Sequence, residues 1–186
     1  MRTHGTLFAL TAMIAFAAAP AHAQQYKLDE AHMAFYFKIS HLGYSDTFGR
    51  FNKASGDFTL SGSDSTFSLT IDADSIDTGF EKRDDHLRNP DFLNVKQFPK
   101  ITFKSTDVSV SGDTWTVTGD FTMHGVTKPL TLELKKHAEG QGPDGKVRTG
   151  FSTEAVIQRS AFGMDKMLPA IGDDVTLMIS IELIKQ

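Results

Sequence analysis

Cysteine is absent from the 186 residues, which excludes a disulfide scaffold, a thiolate metal site and a cysteine nucleophile together. Positive charge is not in excess: 19 Lys and Arg stand against 23 Asp and Glu, a formal net charge of -4. A broad electrostatic attraction to nucleic acid is therefore not expected. Tryptophan and tyrosine are scarce, at 1 and 3, against 15 phenylalanines. The chain thus carries much ring surface and few rings with a polar tip. With 40% hydrophobic and 23% charged residues it is neither a disordered tail nor a bundle of membrane helices. Its length suits one domain.

Residues 1–23 read as a secretory signal. Arg2 and the amino terminus supply positive charge, residues 7–19 form an apolar run broken only by Thr11, and Ala21-His22-Ala23 gives the small-x-small pattern of a cleavage site. The run is too short to span a bilayer core of roughly 30 Å. There is neither a twin arginine nor a cysteine to carry a lipid. Cleavage after Ala23 leaves residues 24–186 as the expected domain, soluble and exported to the periplasm.

Beyond the signal the dominant period is two. Met33, Phe35, Phe37 and Ile39 alternate with small or polar residues, as do Phe67, Leu69 and Ile71, then Ile101 and Phe103 running toward Val108 and Val110. Trp115, Val117, Phe121 and Met123 follow, then Leu130, Leu132 and Leu134, then Phe151, Ala155 and Ile157, and last Val175, Leu177, Ile179, Ile181 and Leu183. With a further strand near Phe58 and Leu60 this makes about eight strands, each with one apolar face. Turn formers separate them, including Ser61-Gly62-Ser63-Asp64, Ser111-Gly112-Asp113, His124-Gly125 and residues 140–145.

Residues 78–98 break the pattern. The stretch is too polar for a strand, long enough for one or two helical turns, and closed by Pro90. The expected fold is all-β: an antiparallel eight-stranded barrel with a short helical loop over one end, closure removing exposed edges. An inward apolar face makes a soluble barrel with an apolar lumen, and an outward one a small outer-membrane barrel. The scarcity of Tyr and Trp girdle residues and the dense Thr, Ser, Asp and Lys of the opposite face favour inward.

Over nearly the whole chain after the signal, the order and spacing of short motifs resemble the YceI-like family of exported lipid-binding proteins. They run from Tyr26-Lys27-Leu28-Asp29 and His32 through Phe37, His41, Gly49-Arg50-Phe51, Ile71-Asp72 and Ser75-Ile76-Asp77-Thr78-Gly79. The most specific block is Arg83-Asp84 with His86-Leu87 and Asp91-Phe92, then Phe98-Pro99 and Ile101-Thr102-Phe103. The sequence from Gly119 to Pro129, then Arg159-Ser160-Ala161-Phe162-Gly163-Met164 and Gly172-Asp173-Asp174-Val175, complete it. Met33 and Ala161 depart from the family's usual Ser and acidic residue. The resemblance implies an extended lipocalin-like barrel whose lumen holds a polyisoprenoid, a prenyl pyrophosphate, an isoprenoid quinone or another long-chain lipid. It implies no cofactor.

The expected lumen residues are Phe35, Phe37, Ile39, Phe67, Leu69, Ile71, Phe103, Trp115, Val117, Phe121, Phe151, Ile157, Ile179 and Ile181. A filled barrel without ligand is the alternative, since eight strands permit it. Arg83, Asp84, His86 and Arg159 are expected at a polar lid or mouth, with buried ion pairs and hydrogen bonds pinning the helical loop. A catalytic alternative, a lipid hydrolase or isomerase, makes His86 a base oriented by Asp84 or Asp85. No nucleophile or oxyanion site stands beside it at a defined spacing, so binding without catalysis is expected. Lys82, Arg83, Arg88, Lys96, Lys100, Arg159 and Lys166 are placed to rim a mouth and meet an anionic head group. His32, His41, His86, His124 and His137 form no His-x-x-x-His pair, and no metal site is expected. Transient contact with the inner membrane or a membrane protein follows from an apolar cargo.

Overall fold

The computed structural model describes residues 23–186; the expected signal lies outside them except for Ala23. The elements are β1 (Gln24–His41), β2 (Ser45–Phe51), β3 (Ala54–Leu60), β4 (Thr66–Asp72), β5 (Ile76–Asp77), α1 (Glu81–Arg88), β6 (Lys100–Ser111), β7 (Thr114–Met123), β8 (Val126–Lys136), β9 (Gly140–Gln141), β10 (Val147–Gln158) and β11 (Ile171–Lys185). Antiparallel pairing runs β1-β3-β4-β6-β7-β8-β10-β11 and returns to β1, a closed eight-stranded barrel with one short helix. The three remaining strands extend it: β2 continues the line of β3 along the second half of β1, β5 pairs with β2, and β9 with β10.

Two bulges reconcile the alternation with the barrel. In β1 the inward residues are Tyr26 and Leu28, then Phe35 and Phe37, a switch from even to odd positions. Leu28 pairs with Leu183 but Met33 pairs with Ile181, so residues 29–32 loop out between them. In β6 Ile101 and Phe103 face inward and so does Val108; the register shift between Ser105 and Asp107 supplies the extra residue. Each bulge keeps the apolar set on the core side, where a simple one-residue slip would turn it to solvent.

The outer face is polar. Thr118 pairs with Thr131 through their hydroxyls at 2.9 Å, and Thr122 with Thr127 at 2.8 Å, so these strands present no outward apolar band of the membrane-barrel kind. No helix among the described residues is long and apolar enough to cross a membrane. Inside, one end of the barrel is filled. Phe58, Phe67, Trp115 and Phe151 meet edge to face, with ring centroids 5.3–6.2 Å apart along Phe58–Phe67–Trp115–Phe151. Val117 and Leu183 are fully buried.

At the other end the helix covers the wall beyond β5. Its two turns begin after Phe80 and end at Arg88, two residues before Pro90, as the sequence pattern requires. It has almost no apolar face of its own, so polar bonds hold it. The Arg88 guanidinium donates to the carbonyls of Asp74 and Ile76 at 3.0 Å each, and pairs with Asp74 and Asp85. Leu87 packs inward from the helix, and Phe92 and Leu93 from the loop behind it.

Candidate functional site

Between the aromatic floor and the helix the barrel encloses a cavity of about 750 Å³, a size typical of small-molecule sites. Eleven of the fourteen expected lumen residues line it: Phe35, Phe37, Ile39, Phe67, Leu69, Ile71, Phe103, Phe121, Ile157, Ile179 and Ile181. Trp115, Val117 and Phe151 do not. All three are buried inward as their alternation requires, and Trp115 and Phe151 meet the Phe67 ring at the filled end, where they form its floor. The pattern of two gives a residue's face and not its height along the barrel. Leu87, Phe92, Leu93 and Met164 also line the cavity. They escaped the sequence reading because they sit on the helix and loops, where no period marks them.

Close approach shapes one wall. A Cβ on Gly49 would fall 2.3 Å from the Phe37 ring and 2.9 Å from the Thr78 methyl. The missing side chain lets the Phe37 ring lie across β2 into the lumen, against Phe51 at 5.9 Å.

The polar lid is organised by Thr78. Its hydroxyl donates to the buried Asp84 carboxylate and accepts from Arg83 Nε at 2.7 Å; its amide donates to Asp84 at 2.9 Å, and its carbonyl accepts from Arg83 Nη2 at 2.7 Å. Arg83 and Asp84 are thus joined through Thr78, by hydrogen bonds and not by a direct ion pair. His86 lines the cavity, and its Nε2 lies 3.2 Å from Asp91 Oδ2. Neither Asp84 nor Asp85 orients it: Asp84 is occupied by Thr78, and Asp85 by Arg88 at 3.1 Å. The His86 hydrogen bond, with the Lys166 charge at 3.6 Å, holds the Asp91 carboxyl below its usual range.

Arg159 is deeper than a rim residue, at 4% exposed. Its guanidinium donates to the carbonyls of Gly172, Met164 and Ile171 at 2.8, 2.6 and 3.1 Å, and lies over the Phe92 ring. Burial lowers its pKa, with the charges of Asp173 and Asp165 opposing. Of the cations expected at the rim, Lys100, Lys166 and Arg88 are each paired with an aspartate. Arg83 and Arg159 both line the cavity, and neither has a carboxylate within ion-pair distance among the described residues.

Among the described residues, two buried side-chain polar atoms stand without a hydrogen-bond partner, Trp115 Nε1 and Thr149 Oγ1, both at the floor end. Elsewhere His124, in the turn expected for it, meets the carbonyl of Phe162 at 2.9 Å.

Outside the barrel, the β1 bulge gathers Asp29, His32 and Glu182, whose donor atoms lie within 4.8 Å of one another. An Asp-x-x-His pair on a bulge and a glutamate on the last strand share no sequence signature. The set has the donor chemistry of a metal site, but Arg148 Nε already stands 3.6 Å from Asp29 and 3.9 Å from Glu182, so a cation is in place. The His32–Asp29 hydrogen bond of 3.0 Å lowers the Asp29 pKa from 3.8. The same bond, then the charges of Asp29 and Glu182, raise that of His32 from 6.5. The stabilisation is fully present between these two values. It is lost as pH rises through the raised His32 pKa, and as pH falls through the lowered Asp29 pKa. The melting temperature of His32→Gln should therefore lie furthest below that of the unmodified protein between pH 3.8 and 6.5, with the gap closing as pH rises through the raised His32 pKa. Scanning calorimetry at several pH values reads this directly; a gap independent of pH would show that only packing was lost.

A model of the YceI-like domain matches residues 26–183. The chain is 40% identical to protein YceI of Escherichia coli O157:H7, over 97% of this chain and 98% of that one. Among solved structures it is similar to Burkholderia cenocepacia BcnA, with a TM-score of 0.76 at 22% identity over 83% of this chain and 98% of the other. It is also similar to a polyisoprenoid binding domain from Saccharophagus degradans implicated in plant cell wall breakdown, with a TM-score of 0.68 at 18% identity, covering 87% and 98%. At these identities the two structures speak to the fold.

Proposed function

Since the chain belongs to the YceI-like domain family, we propose that it binds one long-chain apolar molecule, a polyisoprenoid or isoprenoid quinone, in its barrel, and sequesters or carries it through the periplasm without chemical change. The observation that carries this reading is the cavity itself, whose wall is mostly Phe, Ile, Leu and Met, with polar residues confined to a minority of positions. The fold shared with a polyisoprenoid binding domain supports the choice of ligand class.

Scale explains why such a pocket suffices. Each buried methylene contributes roughly 0.8 kcal/mol relative to water, so several isoprene units offer a gross transfer energy of tens of kcal/mol. Against a membrane donor the gain nearly cancels, so cargo exchanges readily and selectivity falls to lumen length and a few polar groups. Arg83, His86 and Arg159 are such groups, all toward the helix-covered end, and a polar head group resting there leaves the tail pointing at the aromatic floor.

The test is mass spectrometry of the organic extract from protein purified without detergent, beside native mass spectrometry of the intact complex. A stoichiometric prenyl or quinone species of unchanged structure is expected. An empty protein whose Trp115 fluorescence ignores added prenyl lipid would overturn the reading, because that ring lies 6.2 Å from the cavity-lining Phe67. Conversion of the lipid during incubation would favour an enzyme instead.

A further inference from the structure

The cavity meets solvent beside two neighbouring chain tips. One is the turn joining β1 to β2; the other is the segment leading from residue 163 into β11. They are fastened together: Leu42 N donates to Ala170 O at 2.7 Å, and His41 pairs with Ile171. The exposed residues His41, Ser45 and Asp46 of the first tip and Met167 of the second are part of the cavity wall. Each tip also turns large apolar side chains outward. Tyr44 is 88% exposed, Leu42 50%, Met167 48% and Leu168 37%. Leu42 and Met167 hold left-handed backbone conformations, at φ 55° and 64°, which bulky residues rarely adopt.

Charge tells what these tips face. Residues 42–45 and 167–172 carry no formal charge. Immediately behind them stand pairs of opposite sign, Lys38 with Asp46 at 3.8 Å and Lys166 with Asp91 at 3.6 Å. An uncharged apolar tip backed by balanced charges complements a zwitterionic lipid surface: hydrocarbon meets the tip, and headgroups meet the paired charges. Tyr44, with an apolar ring and a polar end, suits the boundary between them.

We propose that the tips at residues 42–44 and 167–168 form a docking surface that dips into a zwitterionic bilayer, so that cargo passes between membrane and barrel without crossing water. The inference rests on the carrier reading for its purpose, but not for its test. The mature protein and a triple variant, Leu42→Asn, Tyr44→Ser and Leu168→Ser, are compared; none of the three lines the cavity, and Asn tolerates the left-handed turn. The first readout is flotation with vesicles of phosphatidylcholine and phosphatidylethanolamine. The unmodified protein should float equally well at low and high salt, and the variant at least tenfold less.

The second readout is transfer of dansyl-labelled geranylgeraniol from protein to the same vesicles. Its rate should rise with vesicle concentration for the unmodified protein and lose that dependence in the variant, with affinity for the probe in solution unchanged. Flotation that matches in both proteins, or that collapses with salt, overturns the proposal. A dimer that hides the tips, detected by sedimentation, overturns it as well. Probe that never binds, with flotation intact, refutes the carrier reading and leaves the docking surface standing.

Discussion

Replacing Leu177 and Ile179 together by tryptophan should empty the barrel while leaving it folded. Both side chains line the cavity from β11, where Leu177 faces Phe37 on one neighbouring strand and Ala155 on the other, and Ile179 faces Phe35 and Thr153. Two indoles there occupy the space a chain would fill, whereas the barrel's closure depends on backbone pairing that the substitution leaves alone. Lipid recovered with the purified protein should fall at least tenfold, equivalent to about 1.4 kcal/mol or more of lost affinity. The melting temperature of the ligand-free protein should hold or rise, because filling a void restores contacts that an empty lumen lacks. Unchanged lipid content in a well-folded variant would place the ligand somewhere other than the lumen.

Truncating the floor should have the opposite effect on capacity and a larger effect on stability. Phe151 is 1% exposed and meets both Phe67 and Trp115 edge to face at 5.5 and 5.3 Å. Phe151→Ala should cost about 3–5 kcal/mol, and for a domain of this size a loss of roughly 6–20 °C in melting temperature. The hole opens toward Trp115 and Thr149, whose unpartnered polar atoms invite water and pull the cost toward the lower figure. Because the hole lies directly under the cavity, the longest prenyl chain retained should lengthen, which competition between chains of graded length would measure. A drop in melting temperature with the same length preference would show that the floor holds the fold together but does not set the length of the cargo.

The fold was legible because alternation is a strong signal wherever one face of a strand is buried, and here it is buried in every barrel strand. Where alternation changes phase, between Leu28 and Met33 or between Phe103 and Val108, the sequence reading marks no bulge; the register shifts appear only in the strand pairing. The helix was legible from its polar run and Pro90, not from amphipathicity. Height along the barrel axis was not legible, because inward residues at the floor and in the cavity wall share one pattern; Trp115, Val117 and Phe151 show this.

Pairing choices among polar groups were equally hidden. Asp84 takes Thr78 and His86 takes Asp91, outcomes set by how the loop folds back and not by adjacency in sequence. The outward apolar side chains of Leu42, Tyr44 and Leu168 were in plain view, but nothing in the sequence says that two tips more than a hundred residues apart lie side by side.

The seam of the barrel, where β1 pairs with β11 along nearly its full length, also fixes the order of events during synthesis. Hairpins such as β6–β7–β8 bring together residues close in sequence and can form as they emerge. The seam joins the earliest strand to the last, the most distant contact the topology contains, and it bears the slowest loop closure. Until Ile171–Lys185 has left the ribosome, β1 has an open edge and the lumen has no wall. A chain with this connectivity therefore cannot close its barrel before β11 has been made.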